Sequence, residues 1–488
     1  MSAAFCCRNT VSRRSLLRAA GAAAALGAGA ALLAACGGAA PVTGVSTNSA
    51  ASLAATANVA TTAASTGASA ASSAAPQGNG ANIDFWLVDQ DTNTQKLYTD
   101  TVLPALKAAL PNVTVNMGWK SWSTSGGGID QDLSASFAGG VAPDIFQWGA
   151  EYAFKVAHLQ MGLVLDQMID QWGQRSDFFP SALQACQWQG KTYGLPYLSS
   201  PRTYFSRGDV LKTNGITDAP VTWEDDLDDG KKLTKITDGT LSQLGVNTGA
   251  DWQEFTELLL SVGGALIANG KTAVNSPEGQ LAAQFMQDRF AQLTPMGTKP
   301  LPAAPKGVTN FSLGRQVISW GGPSILSNVA QKAQDSLASV IVGPPITAGG
   351  VTYKAPDPTK VKPVALTFTD WLIISTQSKH ASDAFGVLKV VLDGQSLLDY
   401  NQNFFFIPPR KSVASQGYMA TKGLQEVVKV FNTNGVAFPS LPDSVQLRVP
   451  LTKALTDILN KTISVQDGLN SVVQVYDPII QTSGWSQS

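Results

Sequence analysis

The sequence predicts an α/β protein built as two lobes, and three observations carry that expectation. Residues 82–148 alternate short β-branched or aromatic runs with amphipathic stretches, a β-α-β-α-β rhythm. A second stretch of similar rhythm follows Thr203. The 488-residue length allows two or three domains, and no internal repeat of solenoid period interrupts the pattern.

The elements follow in order. Ile83–Val88 reads as a strand, and Gln95–Leu110 has helical spacing with a break or kink at Pro104. Val113–Met117 is a second strand, Ile129–Ala138 a short helix, and Gly139–Asp144 a turn into strand Ile145–Trp148. This order implies parallel strands with right-handed crossovers. Glu151–Met161 is helical again. In the second stretch, Thr222–Asp226 starts a helix, Leu244–Asn247 is a strand and Gln253–Val262 an apolar-faced helix. Val317–Trp320 and Ser339–Val342 read as strands, Trp371–Ser375 as another, Ser382–Leu392 as a helix, and the C-terminus as largely helical.

Residues 1–35 read as an address. Arg8, Arg13, Arg14 and Arg18 precede the uncharged run Ala19–Ala35, whose small residues end at Cys36. A basic stretch, a short apolar run and small residues before a cleavage point describe an export signal. A membrane anchor needs about 20 strongly apolar residues, and this run is shorter and dominated by Ala and Gly. Ser12-Arg13-Arg14-Ser15-Leu16-Leu17-Arg18 resembles the twin-arginine export motif, with a chance arginine pair in a Sec signal as the alternative. Leu33-Ala34-Ala35-Cys36 resembles a bacterial lipobox. That resemblance implies cleavage before Cys36 and lipidation of its thiol, a tether outside the cytoplasmic membrane. Residues 36–81 carry no charge and few large apolar groups, the composition of a disordered tether. Its r.m.s. reach is on the order of 35–40 Å.

Processing changes the composition. The full chain has 34 Lys+Arg against 35 Asp+Glu, and removing the signal takes four arginines and no acid. The exported chain is therefore mildly acidic, which argues against a sequence-independent nucleic-acid binder. Of four cysteines only Cys186 remains beside the lipidated one, so no internal disulfide is expected, and Cys186 reads as a buried small hydrophobe.

Four stretches in the body carry a resemblance. They are Phe137–Ile145, Gly190–Tyr197 continuing through Thr203–Ser206, Pro220–Asp225, and Ile374–Lys379 with the helix that begins at Ala381. In that order they resemble the bacterial extracellular solute-binding proteins of ABC importers, especially the sugar and oligosaccharide binders. The resemblance implies a flytrap: two lobes joined by crossing strands, a ligand in the cleft, and closure read by a membrane permease. It divides the body into a first lobe at 82–200, a second at 201–366, a return to the first at 367–408, and a segment 409–488 of second-lobe and C-terminal helices.

Ligands of open α/β sheets bind beyond the carboxyl ends of the strands. Trp122, Trp148, Trp252 and Trp320 follow strand ends or open helices, and Tyr197 and Trp371 stand beside the crossings. Trp offers a broad apolar face and one N–H donor, suited to a sugar ring. Core packing is the competing role for each. Polar candidates are Asp89 and Gln90 after the first strand, Lys120 after the second, Glu151 after the third, and Asp370 beside a hinge. The expected cleft is neutral and aromatic.

Enzyme and cofactor signatures fail. Gly190-Lys191-Thr192 and Gly270-Lys271-Thr272 have alanine, at Ala185 and Ala265, where a phosphate loop requires glycine. His158 and His380 have no partner at metal-ligand or catalytic spacing. We expect no cofactor, no metal and a monomer whose partners are a small carbohydrate and permease subunits. A secreted carbohydrate-active enzyme, or a surface receptor or adhesin on the same fold, is the alternative.

Overall fold

The structure, a computed structural model, describes residues 80–88, 93–122, 128–415 and 417–485. The expectations on Arg13, Arg14, Cys36, the tether, Asp89 and Gln90 lie outside these residues.

Among the described residues, eleven strands form two sheets: Asn82–Val88 (β1), Thr114–Lys120 (β2), Ile145–Gly149 (β3), Leu195–Pro201 (β4), Thr203–Arg207 (β5), Lys235–Thr237 (β6), Thr240–Val246 (β7), Gln316–Gly321 (β8), Val340–Val342 (β9), Ala365–Ile374 (β10) and Gly435–Ala437 (β11). The first sheet runs β11-β10-β3-β1-β2, with β4 paired to β10; the second runs β9-β5-β8-β7-β6. Two short hairpins, at residues 187–192 and 267–272, stand apart.

The expected β-α-β-α-β order is present from β1 to β3. β1 pairs in parallel with β2 and β3, and β7 in parallel with β8. Both sheets are nonetheless mixed: β10 runs antiparallel to β3 and β4, and β5 antiparallel to β8 and β9. The returning strands enter from the other lobe, so no helical crossover constrains their direction.

Local sequence explains most elements. In β1, Ile83, Phe85 and Leu87 are buried while Asp84 is exposed, the period of a strand. The helix around Pro104 is one continuous turn sequence with a π-helical stretch at Tyr98–Val102 immediately before Leu103–Ala109. Widening the turn accommodates the proline ring and its missing N–H. Helix Trp223–Leu233 is opened by a capping box, Thr222 accepting from the Asp225 amide and Asp225 from the Thr222 amide.

Strand β10 departs most from expectation. Only Trp371–Ser375 reads as strand in sequence, yet pairing extends back to Ala365. Leu366 and Phe368 join the core of the second sheet, whereas Leu372 and Ile374 join that of the first. One strand thus serves two cores, which hides its amphipathic period. The chain crosses first at Arg202, between β4 and β5, and returns through residues 343–364. Gly435–Ala437, read from sequence as second-lobe, adds to the edge of the first sheet beside β10. Helices Ser444–Leu459 and Val465–Ser483 then pack on the second core.

Cys186 is buried, its thiol directed at the Ala182 carbonyl and its pKa pushed well up by burial. His158 stacks on Phe154 and His380 precedes helix Ala381–Val391. Among the described residues no helix is long and apolar enough to cross a membrane, and no His/Cys/Asp/Glu group could hold a metal ion.

Candidate functional site

A cavity of about 300 Å³ opens where the strands cross, lined by Trp122, Glu151, Leu198, Ser200, Arg202, Trp252, Gln253, Ser324, Phe368, Asp370, Phe406 and Arg448. Residues from the first sheet, from the crossing itself and from three helices converge there.

From the first lobe, Glu151 follows β3 in a 3₁₀ turn, Ala150–Tyr152. Gly149 allows its carboxylate to fold back, because a Cβ there would overlap the Glu151 side chain. Burial raises Glu151 to about 8, with Asp370 and Asp130 adding to the rise and Arg448 opposing it. Asp370 sits on β10 where the register with β4 shifts between Asp370 and Trp371. Such a bulge re-aims a side chain. Its Oδ2 accepts from Gln147 Nε2 at 2.7 Å, and burial still raises it to about 7. Phe405 ends helix Gly394–Phe404 in the left-handed region (φ 58°), and Phe406 follows it into the cavity wall.

From the second lobe, helix Trp252–Ser261 presents its first turn. Asp251 caps it by accepting from the Gln253 and Glu254 amides. The helix is anchored from behind: Glu254 Oε1 accepts from Arg289 Nη2 at 2.7 Å and from the Tyr204 hydroxyl at 3.2 Å, all three buried. Trp252 packs edge-on against Phe368 and Phe438 and keeps 8% of its surface exposed toward the cavity.

Arg202 lies in the crossing itself. Its Nη1 donates to Ser200 Oγ at 2.7 Å, and its Nε and Nη2 donate to Gln253 Oε1 at 3.4 and 3.2 Å. The guanidinium carbon stands 4.7 Å from the centroid of the Phe368 ring. Gly322 makes room, since a Cβ there would overlap Nη1 of Arg202. The glycine-rich turn at 321–322 therefore admits a side chain of the protein's own.

Of the residues singled out in sequence, the structure brings Trp122, Glu151, Trp252 and Asp370 to one cavity. It places the other described candidates elsewhere. Trp148 is fully buried, stacked on Tyr152 at 4.0 Å, and donates to Asp130. Trp371 is fully buried and donates to the Gly149 carbonyl. Tyr197 is buried, its hydroxyl 2.8 Å from that of Tyr98. Trp320 donates its indole N–H to Glu257 at 2.7 Å and is absent from the cavity wall. Lys120 pairs with Asp132 and covers the Trp86 ring. Strand ends alone do not distinguish a ring that meets solvent from one that meets the next layer.

Arg202, Gln253, Ser200, Phe368, Phe406 and Arg448 escaped the reading. Arg202 was signalled by its place between Pro201 and Thr203 in the crossing, and Gln253 by its place beside Trp252 in a helix's first turn. Arg448 has no local signal, because it reaches the cavity from helix Ser444–Leu459, far along the chain.

Two mixed sheets, a strand shared by both cores and a polar, aromatic cavity at the crossing define a two-lobed binding-protein fold. The profile of bacterial extracellular solute-binding proteins matches residues 121–426, and the chain belongs to that family. A binding protein of Brucella abortus (strain 2308) is 23% identical over 337 residues, 66% of this chain and 74% of its own length. Among solved structures, mannobiose-bound CpMnBP1 superposes with a TM-score of 0.70 at 19% identity, covering 82% of this chain and 100% of its own. Maltose-bound MalE3 of T. maritima gives a TM-score of 0.66 at 19% identity, covering 81% and 98%.

Proposed function

We propose that the protein is a lipid-anchored, extracytoplasmic solute-binding protein that captures a carbohydrate in this cavity and delivers it to the permease of an ABC transporter. The supporting observation is the composition of the cavity wall. Trp122, Trp252 and Phe368 supply ring faces, and Glu151, Ser200, Arg202, Gln253 and Asp370 supply hydrogen-bonding groups, drawn from both lobes. Ring faces suit the C–H faces of sugars, and fixed polar groups select hydroxyl geometry. The mannobiose and maltose in the two similar structures agree with this reading.

Delivery requires that ligand favour the closed arrangement. A shift from 1:99 to 99:1 needs about 5.5 kcal/mol of differential affinity, which is why contacts from both lobes matter. The protein acts as a monomer, held by the lipid on Cys36 and reaching the permease through the tether.

A thermal-shift screen against mono- and oligosaccharides tests the ligand class; a ligand at 100 times its Kd stabilises by about 2.7 kcal/mol. A response confined to amino acids or metal ions overturns it. Labelled palmitate entering the protein but not its Cys36→Ala variant tests the anchor, and equal labelling overturns it. One observation favours a second reading, a carbohydrate-active enzyme: two carboxylates, Glu151 and Asp370, line one cavity. Release of reducing sugar from an oligosaccharide, abolished by Glu151→Gln, would establish that reading instead.

A further inference from the structure

The geometry points to an acidic saccharide, one bearing a uronate carboxylate, as the ligand of this cleft, with Arg202 receiving that carboxylate. This inference rests on the carbohydrate reading and narrows it.

The sequence leads one to expect a neutral cleft, yet two guanidinium groups line the cavity. They are not equivalent. Arg448 is already matched, its Nη2 donating to Asp130 Oδ2 at 2.8 Å. Among the described residues, Arg202 donates only to the hydroxyl and carbonyl of Ser200 and the side-chain amide of Gln253, all neutral. A guanidinium carries five donors and keeps its charge in proteins. A charge withdrawn from water calls for a counter-charge, and a carboxylate accepting two parallel N–H bonds is the best-matched one. Phe368 beneath the guanidinium holds its plane, and Gly322, lacking a Cβ, admits its Nη1 end.

The cavity's own acids do not fill this role. Asp370 accepts instead from Gln147, and no ion pair joins Arg202 to Glu151 or Asp370 among the described residues. Burial raises Glu151 to about 8 and Asp370 to about 7. In its protonated form Glu151 donates to a sugar hydroxyl; Asp251, Asp370, Glu257 and Glu151 act on Arg202 by their fields without an ion pair to it among the described residues.

The test is isothermal titration of the full chain in detergent with uronate oligosaccharides (galacturonate, mannuronate, glucuronate), their methyl esters, and glucosamine oligomers. One uronate should bind at least about tenfold tighter than its ester, which keeps shape and loses charge. Arg202→Gln should erase that difference, and Arg202→Lys, which keeps the charge without the fork, should restore part of it. Ester binding as tight as acid, an unchanged acid preference in Arg202→Gln, or tightest binding of the cationic glucosamine series overturns the inference and leaves the carbohydrate reading standing. No binding by any saccharide, neutral ones included, overturns both.

Discussion

Arg448 donates Nη2 to Asp130 Oδ2 at 2.8 Å across 318 residues of sequence, and Asp130 Oδ1 accepts from Trp148 Nε1, also at 2.8 Å. One carboxylate therefore ties helix Ser444–Leu459 to the helix Ile129–Ala138 and to β3 of the first sheet. The same arginine lines the cavity, so the tie between lobes and the ligand site share a side chain.

Breaking that tie from one side should be costly. Asp130 is 3% and Arg448 10% exposed in the side chain, and removing one partner of a buried pair costs about 3–5 kcal/mol. We expect Asp130→Ala to fall near that range in urea unfolding, and the double variant Asp130→Ala with Arg448→Met to recover part of the loss. Equal stability of Asp130→Ala and the native protein would show that the pair holds nothing together.

The two cavity tryptophans should separate binding from folding. Trp122 is 37% exposed, whereas Trp252 packs against Phe368 and Phe438. Trp122→Ala should weaken saccharide binding about tenfold with little change in Tm. Trp252→Ala should weaken binding and also destabilise by about 3 kcal/mol through the cavity it leaves. Titration and thermal melts on the same samples distinguish the two patterns.

Stability should decline with rising pH. Glu151 and Asp370 hold their protons more tightly folded than unfolded, since burial raises them to about 8 and about 7. The stability each contributes is complete below the unfolded carboxylate pKa near 4 and is lost as pH rises through the folded value. The slope is on the order of 1 kcal/mol per pH unit for each proton by which the two states differ. Glu151→Gln should raise Tm at pH 8, leave it nearly unchanged at pH 4, and flatten the curve between. A native protein whose Tm rises from pH 5 to 8 would contradict this.

Two glycines should report on the site without disturbing the core. A Cβ at Gly149 would displace the Glu151 carboxylate, and one at Gly322 the end of Arg202. Both obstacles are flexible side-chain ends that can move aside. Gly322→Ala should therefore cost affinity, by about tenfold for a ligand that uses Arg202, with a Tm change of only a few degrees. An alanine variant that binds normally would mean that Arg202's position is immaterial to the ligand.

The sequence was most legible where neighbours in the chain decide the structure. The helix start at Thr222, the helix Ile129–Ala138 and the parallel strands β1, β2 and β3 all follow from patterns a few residues apart. Legibility failed at β10, because Leu366 and Phe368 answer to one core and Leu372 and Ile374 to another. It failed again at the tryptophans. Trp148 and Trp252 both stand at sheet or helix ends, yet one stacks on Tyr152 in the core and the other faces the cavity.

By itself, then, the sequence determined the α/β class and the order of motifs that places the chain among solute-binding proteins, and it raised the expectation of an export address at residues 1–35 followed by an uncharged tether. These are properties of composition and of spacing over a few turns. Only the tertiary structure decided that Arg202 and Arg448 enter the cleft, that Asp370 turns toward it at a bulge, and that Trp148, Tyr197 and Trp371 do not line it. Which face of an element meets solvent depends on the layer packed against its other side. That layer comes from residues hundreds of positions away, so no local pattern records it.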